Sequence, residues 1–325
     1  MAVTLDDIKA PIRQEMAMFE AEFRKAMSSK VPLLDRTMTY LVKRKGKQMR
    51  PMFVLLSAGL TGGVNDKTYR GASLVELMHT ATLIHDDVVD DAFERRGFFS
   101  VNALWKNKIA VLVGDYLLSS GLILALVNKE FQMLEILSEA VKAMAEGELL
   151  QLEKARGLNT DESVYYEIIN KKTASLIASC CAIGGASNPV SAHILDQLRD
   201  FGHNVGMAFQ IKDDLFDYGE GEDIGKPLGI DIQEKKLTLP LIYALNHVDE
   251  SRRKKLLATI RGYKNKKKDL KEIAGFVFEH GGIAYAQEKM QGFRGRALEI
   301  LQGFPESPYR TSLAQLVDFT IDRRK

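Results

Sequence analysis

Leu83-Ile84-His85-Asp86-Asp87-Val88-Val89-Asp90-Asp91 is the stretch on which the reading of this chain turns. On a helix, Asp86 and Asp90 lie four residues apart, so their carboxylates share one face about 6 Å apart along the axis. Like charges at that spacing destabilise a helix by roughly 0.2–0.5 kcal/mol. In apolar surroundings the cost is larger unless a cation neutralises them. Hard divalent cations with oxygen ligands meet that need, and Mg²⁺ commonly shares its shell with substrate phosphates. A single box of this kind also reads as a solvent-exposed acidic helix end. However, the same i, i+1, i+4 spacing returns in Gln210-Ile211-Lys212-Asp213-Asp214-Leu215-Phe216-Asp217, again within an apolar helical segment. Two boxes on two facing helices make a clamp for a diphosphate through bridging metals.

Outward from the boxes, helical periodicity runs nearly end to end. Thr4 to Asp7 reads as an N-terminal capping box. Breaks fall near Gly46 and Pro51, at Leu60-Thr61-Gly62-Gly63, near Gly97, around Gly157-Leu158-Asn159 and at Asn188-Pro189. Others follow at Gly219 to Pro227, Gly262, Gly281-Gly282 and Pro305 to Pro308. The spacing predicts about ten to thirteen helices. No alternating strand pattern of any length is present, and no linker marks a boundary. The expectation is therefore an all-α protein with one domain spanning 1–325.

Composition agrees. The chain has 8 prolines in 325 residues, about half the usual ~5%, which favours long uninterrupted helices. Its 45 basic and 43 acidic residues nearly cancel, so global charge makes no case for nucleic acid or an anionic membrane. The basic run Lys264 to Lys268 reads as a solvated loop. Cys180 and Cys181 are adjacent, in neither a metal spacing nor a disulfide framework, which fits a reduced, cytoplasmic setting. The N-terminus lacks an apolar signal region. Ile109 to Val127 is long enough to span a bilayer, but Asp115, Ser119 and Ser120 interrupt it. It is expected to be a buried core helix, with no transmembrane segment.

Cations suited to phosphate surround the boxes: Lys47 and Arg50, Arg95 and Arg96, then Lys172, Lys226 and Lys236. Arginine forks contact phosphate in pairs of bonds, while lysines act as point charges. Each alone reads as a surface charge; around two metal boxes they read as a set.

At this point the sequence resembles the trans-type polyprenyl diphosphate synthases over nearly its whole length. Lys47-Gln48-Met49-Arg50-Pro51 looks like that family's KxxRP element. His79 to Asp91 with Arg95-Arg96-Gly97 matches its first aspartate-rich region. Gly114-Asp115-Tyr116-Leu117, Lys172-Thr173-Ala174, Phe209-Gln210, Gly225-Lys226 and Lys236-Leu237-Thr238-Leu239-Pro240 follow in order. Lys235 departs from it, since relatives usually place glycine there.

The resemblance implies the isoprenoid synthase fold, a large helical bundle around a central cavity. It also implies that Asp86, Asp87, Asp90, Asp213, Asp214 and Asp217 coordinate Mg²⁺, up to three ions per site. Arg95, Lys172, Lys226 and Lys236 would bind an allylic diphosphate, such as farnesyl or geranylgeranyl diphosphate. Lys47, Arg50, His79 and Arg96 would bind isopentenyl diphosphate. Lys172, Thr173 and Gln210 would line the reacting centre. An antiparallel homodimer is expected on the same ground.

Helical geometry adds a reading of product length. Thr82 is nearly on the face of Asp86, Val75 is within about 20° of it, and Met78 lies between; Ala81 is displaced by about 140°. A prenyl chain growing away from the metals would pass these positions, with a floor expected around Leu122 to Leu126. The Ala81-Thr82 pair carries no aromatic plug and resembles the medium- and long-chain members, with a product of about C30 to C50 by analogy. Rival readings find less support. Glu76-Leu77-Met78-His79 has the ExxH spacing of di-iron bundles but no second copy. Gly225-Lys226 lacks the rest of a P-loop. A terpene cyclase would usually lack the second DDxxD, and a non-catalytic subunit would lose motif residues that are intact here.

Overall fold

The Thr4 amide donates to Asp7 Oδ2 at 2.9 Å and the Asp7 amide donates to Thr4 Oγ1 at 3.3 Å, the capping box read from sequence. It opens α1 (Leu5–Lys9), which runs through a 3₁₀ turn, Ala10–Ile12, into α2 (Arg13–Ala26). In this computed structural model residues 3–43, 46–95, 97–219, 229–263 and 267–322 are described. The side chains of Arg95, Lys267 and Lys268 fall outside that set, as does most of the basic run from Lys264.

The first half continues with α3 (Pro32–Lys43), α4 (Met49–Thr61) and α5 (Asp66–Val89). A two-residue hairpin, β1 (Glu94–Arg95) and β2 (Phe98–Phe99), turns at Gly97 (φ 75°). These strands are too short for alternation to show in sequence. Then come α6 (Val101–Val127), α7 (Phe131–Gly157) and α8 (Glu162–Ile169). A π turn, Asn170–Ala174, leads into α9 (Ser175–Ala186), followed by α10 (Ala192–Phe216). The chain closes with α11 (Ile230–Gln233), α12 (Leu239–Asn246), α13 (Glu250–Arg261), α14 (Lys267–Glu279), α15 (Gly282–Gln302) and α16 (Pro308–Asp322). The expected all-α class holds. Thirteen helices remain among the described residues when the continuous runs α1–α2 and α8–α9 count once each and the one-turn α11 is set aside.

Helix α9 is the centre of the bundle. Every residue from Leu176 to Gly185 is buried, and α4, α5, α7 and α10 all pack on it. Small side chains permit that crowding. A Cβ on Gly202 of α10 would lie 2.7 Å from Ala178 Cα, and one on Gly206 would overlap Ala174 Cα. This Gly-x-x-x-Gly face seats α10 against the π turn, so that Gln210 and Asp214, one and two turns on, stand over Thr173. Gly147 does the same for α7: a Cβ there would come within 2.8 Å of Lys171 Cβ.

Helix α6 departs from expectation. Its apolar stretch is long enough by composition to cross a membrane, yet only a third of that stretch is buried. One face packs on α5 through Ala110, Val113, Leu117 and Gly121. Val111, Leu112, Ile123 and Leu126 face outward. It is thus not a fully buried core helix, because a helix apolar all round needs more cover than α5 provides. Of the stretch from Leu122 to Leu126, only Leu124 and Ala125 turn inward.

Candidate active site

The first aspartate box occupies the last turn of α5, with Asp90 as its C-cap. The chain leaves through a Schellman-type turn. The Ala92 amide donates to the Asp87 carbonyl at 2.9 Å and the Asp91 amide to Val88 O at 3.4 Å, with Asp91 itself at φ 48°. Asn102, buried at the start of α6, clamps this turn. Its Nδ2 donates to the Asp87 carbonyl at 3.0 Å and to the Ala92 carbonyl at 3.1 Å, while Ser100 Oγ donates to Ala92 O at 2.6 Å. Asp87 is buried, Asp86 half-buried and Asp90 exposed. Carboxylates at a helix C-terminus face the negative end of the helix dipole, which opposes them by about 0.3–1 kcal/mol each. A cation reverses that balance.

The second box ends α10, with Asp217 as its C-cap. Asp214 and Asp217 are tied through their carboxylates. Asp214 is buried; Tyr165 Oη donates to its Oδ2 at 2.7 Å and Gln210 Nε2 to its Oδ1 at 2.9 Å. Asp217 accepts from the amides of Gly229 and Ile230 at 3.0 Å and Asp231 at 3.2 Å, so it caps α11 from across the chain. Helix α11 ends in a second Schellman-type turn, with Lys235 at φ 58° and the Lys236 amide donating to Asp231 O at 2.8 Å. That left-handed conformation is the physical reason glycine suits position 235.

Lys172, Thr173, Gln210, Asp214, Asp231 and Lys236 line one cleft. Lys172 pairs with Glu148 on α7, and Lys236 with Glu234. Thr173 Oγ1 donates to Gln210 Oε1 at 2.7 Å. Lys172 and Thr173 stand on the π turn, an irregularity that often marks functional positions.

The electrostatics of this cleft are those of excess negative charge. Burial and the nearby Asp231 carboxylate push the Asp214 pKa well up, against the pull of its Tyr165 and Gln210 bonds. Burial and then Asp217 raise Asp231 to about 6, opposed by Lys236. Burial also raises Asp217, against its backbone hydrogen bonds. Burial works against the Lys236 ammonium, but Glu234 and Asp231 outweigh it and the pKa is raised. Among the described residues no three acidic, histidine or cysteine side chains converge into a closed cage. The carboxylates of Asp214, Asp217 and Asp231, all with raised pKa values, are the oxygen donors that Mg²⁺ takes, and that ion completes its shell with waters and substrate phosphates.

On the other side of α9, Arg50 of α4 and Glu76 of α5 both act on the Cys180 thiol, whose pKa is raised chiefly by burial. His79 is buried one turn beyond Glu76. Lys47 Nζ lies 5.3 Å from the Phe319 ring centre of α16. Arg96, Lys226 and the side chain of Arg95 lie outside the described residues. The cleft therefore gathers Lys172, Thr173, Gln210, Asp214 and Lys236. The first box stands apart from its lining, at the end of a helix that flanks α9 as α10 does.

Known proteins resemble this chain along nearly its whole length. A sequence profile described as Polyprenyl synthetase matches residues 31–277. The chain is 35% identical, over 98% of its length and 97% of the relative's, to an all-trans-nonaprenyl-diphosphate synthase (geranyl-diphosphate specific) of Rhodobacter capsulatus. It is 32% identical to the octaprenyl diphosphate synthase of Escherichia coli (strain K12), over 99% of both chains. The crystal structure of a decaprenyl diphosphate synthase from Rhodobacter capsulatus superposes with a TM-score of 0.93 at 36% identity, covering 99% of this chain and 100% of that one. The chain belongs to the polyprenyl synthetase family.

This polyprenyl synthetase is thus a prenyltransferase with the isoprenoid synthase fold. Of its candidate chain-length positions, Val75 and Ala81 are fully buried and Met78 nearly so. Thr82 is half-buried, its hydroxyl donating to His79 O at 2.8 Å. Ala81 packs in the α5–α6 seam with Leu77 and Val113, whereas Val75 and Met78 belong to the main core. Site residues that sequence reasoning missed are Asp231, Glu148, Tyr165 and Asn102. None carries a repeating spacing. Asp231 offered the one usable signal, a carboxylate four residues before the Lys235-Lys236 pair.

Proposed function

We propose that this chain condenses isopentenyl diphosphate with an allylic diphosphate to make an all-trans product of about C30 to C50, serving quinone side chains. The reading is carried by the cleft of Lys172, Thr173, Gln210, Asp214 and Lys236. Full-length likeness to relatives named for octaprenyl and nonaprenyl products supports the chain length. A geranylgeranyl diphosphate synthase of Saccharolobus solfataricus, 29% identical, supports a shorter product as the second reading.

In this proposal Lys172, Lys236, Lys226 and Arg95 hold the allylic diphosphate, and Lys47, Arg50, His79 and Arg96 hold isopentenyl diphosphate. Mg²⁺ at the two boxes would neutralise charge on the departing diphosphate. Asp86, Asp87, Asp90, Asp213, Asp214 and Asp217 would be its carboxylate ligands, Asp214 and Asp217 while keeping their bonds to Tyr165, Gln210 and the α11 amides. Thr173 and Gln210 face the allylic carbon as it loses its leaving group, and the double bond of isopentenyl diphosphate then attacks it. The proton lost afterwards passes to released diphosphate.

The outward face of α6 is the surface we propose for pairing with a second copy of the chain. Val111, Leu112, Ile123 and Leu126 are too apolar to leave in water as a row. A cytoplasmic location belongs to the same proposal, with Cys180 and Cys181 as free buried thiols.

The test is incubation of the purified chain with Mg²⁺, isopentenyl diphosphate and each allylic primer, followed by sizing of the dephosphorylated products. Products of six to ten isoprene units support the proposal. Accumulation at four units selects the geranylgeranyl reading, and cyclic hydrocarbon from primer alone would refute both.

A further inference from the structure

Four side chains in the cleft form one directed chain of hydrogen bonds. Tyr165 Oη donates to Asp214 Oδ2 at 2.7 Å, Gln210 Nε2 donates to Asp214 Oδ1 at 2.9 Å, and Thr173 Oγ1 donates to Gln210 Oε1 at 2.7 Å. The direction follows from the donor inventory. In this arrangement Asp214 accepts at both oxygens and Gln210 turns its amide nitrogen toward it. The Gln210 carbonyl then faces Thr173, whose single hydroxyl proton is spent on it. What Thr173 presents elsewhere is lone pairs only.

We infer that Tyr165 is a positioning residue: acting through Asp214 and Gln210, it holds the Thr173 hydroxyl as a pure acceptor at the place where positive charge develops. An unheld hydroxyl would have to turn its lone pairs toward the electron-deficient carbon as charge develops, and a dipole fixed before the reaction avoids that reorganisation. Tyr165 is suited to the task. It is buried on α8, its ring packs edge-on against Tyr166 at 5.5 Å, and it lines the same cleft. Its reach to Asp214 spans 49 positions of sequence, so the relay exists only once α8 and α10 are packed on either side of the π turn. The inference rests on the proposed placement of Thr173 at the allylic carbon.

The experiment is a double-mutant cycle on the full chain, with Tyr165→Phe, Thr173→Val and both together, measured at saturating Mg²⁺. Tyr165→Phe keeps the ring and removes the donor. It is expected to lower kcat by about tenfold while leaving both KM values and the Mg²⁺ midpoint within twofold of wild type. Thr173→Val is expected to be as slow or slower, and the double variant no slower than Thr173→Val. Gln210→Leu breaks the relay at its middle and should show the same non-additivity, which keeps the idea testable if Tyr165→Phe folds poorly. Additive losses would overturn the inference, as would a Tyr165→Phe enzyme altered in its Mg²⁺ midpoint alone. If Thr173→Val turns over like wild type, the placement of Thr173 fails and the inference with it. A slow Thr173→Val with an additive Tyr165→Phe removes only the inference.

Discussion

The two aspartate boxes share one spacing and are held in opposite ways. The first is clamped by its backbone: Asn102 and Ser100 grip the carbonyls of Asp87 and Ala92. The second is clamped by its carboxylates, Asp214 by Tyr165 and Gln210, and Asp217 by three amides at the start of α11. Identical motifs therefore carry different work. Backbone bonds fix the turn that carries the first box, whereas the second is fixed through its carboxylates, against the burial that raises their pKa.

The sharpest break of this contrast is a pair, Asp86→Asn and Asp217→Ala. Asp86→Asn is expected to cost at least about a hundredfold in turnover. Asp217→Ala removes the acceptor of the α11 amides and should lower stability by about 1–3 kcal/mol, with a smaller fall in turnover. Steady-state kinetics and thermal denaturation on both proteins separate the two, and equal profiles would erase the distinction.

Next in size is Asn102→Leu, which removes the clamp on the first box. Two buried carbonyls lose a donor, at a cost of about 1–3 kcal/mol, and the Mg²⁺ midpoint of turnover should rise. An unchanged Mg²⁺ midpoint would show that the clamp serves folding alone.

The charge crowding of the second box gives a pH dependence. Asp231 has a folded pKa of about 6, above the ordinary carboxylate value of 3.8. The folded protein therefore holds that proton more tightly than the unfolded chain. Its contribution is intact below pH ~4 and is lost as pH rises through about 6. In EDTA, Asp231→Asn should gain on wild type by on the order of 1–2 kcal/mol between pH 4 and 7. Chemical denaturation at both pH values measures it, and a constant difference would contradict it.

The smallest expected effect is Lys235→Gly. It relieves the left-handed conformation at the end of α11 and should raise stability by roughly 0.5 kcal/mol. The equivalent turn after the first box, at Asp91 (φ 48°), should respond alike to glycine if the two turns are mechanically the same.

Much of this was legible in the residues. The boxes, the capping box at Thr4, the breaks at glycine and proline pairs and the all-α class follow from local spacing, which sequence displays directly. The clamps do not, because Asn102 and Tyr165 meet their partners only through helix packing. Helix α6 shows the same limit from another side. Its hydropathy says that it must be covered, but not that α5 covers one face and leaves Val111 and Ile123 outward. The glycine at 235 that relatives favour was visible as a departure, and its meaning came only with the backbone angle.

Helix α9, buried along its length between α5 and α10, has a consequence for motion. Its amides should exchange with solvent water only through global opening, while the turns beside both boxes, and α11 with them, exchange through local fraying. The spacing between the two boxes is then guarded by the full unfolding free energy of the protein. In the proposed reaction each box can then loosen to admit or release a diphosphate without altering that spacing.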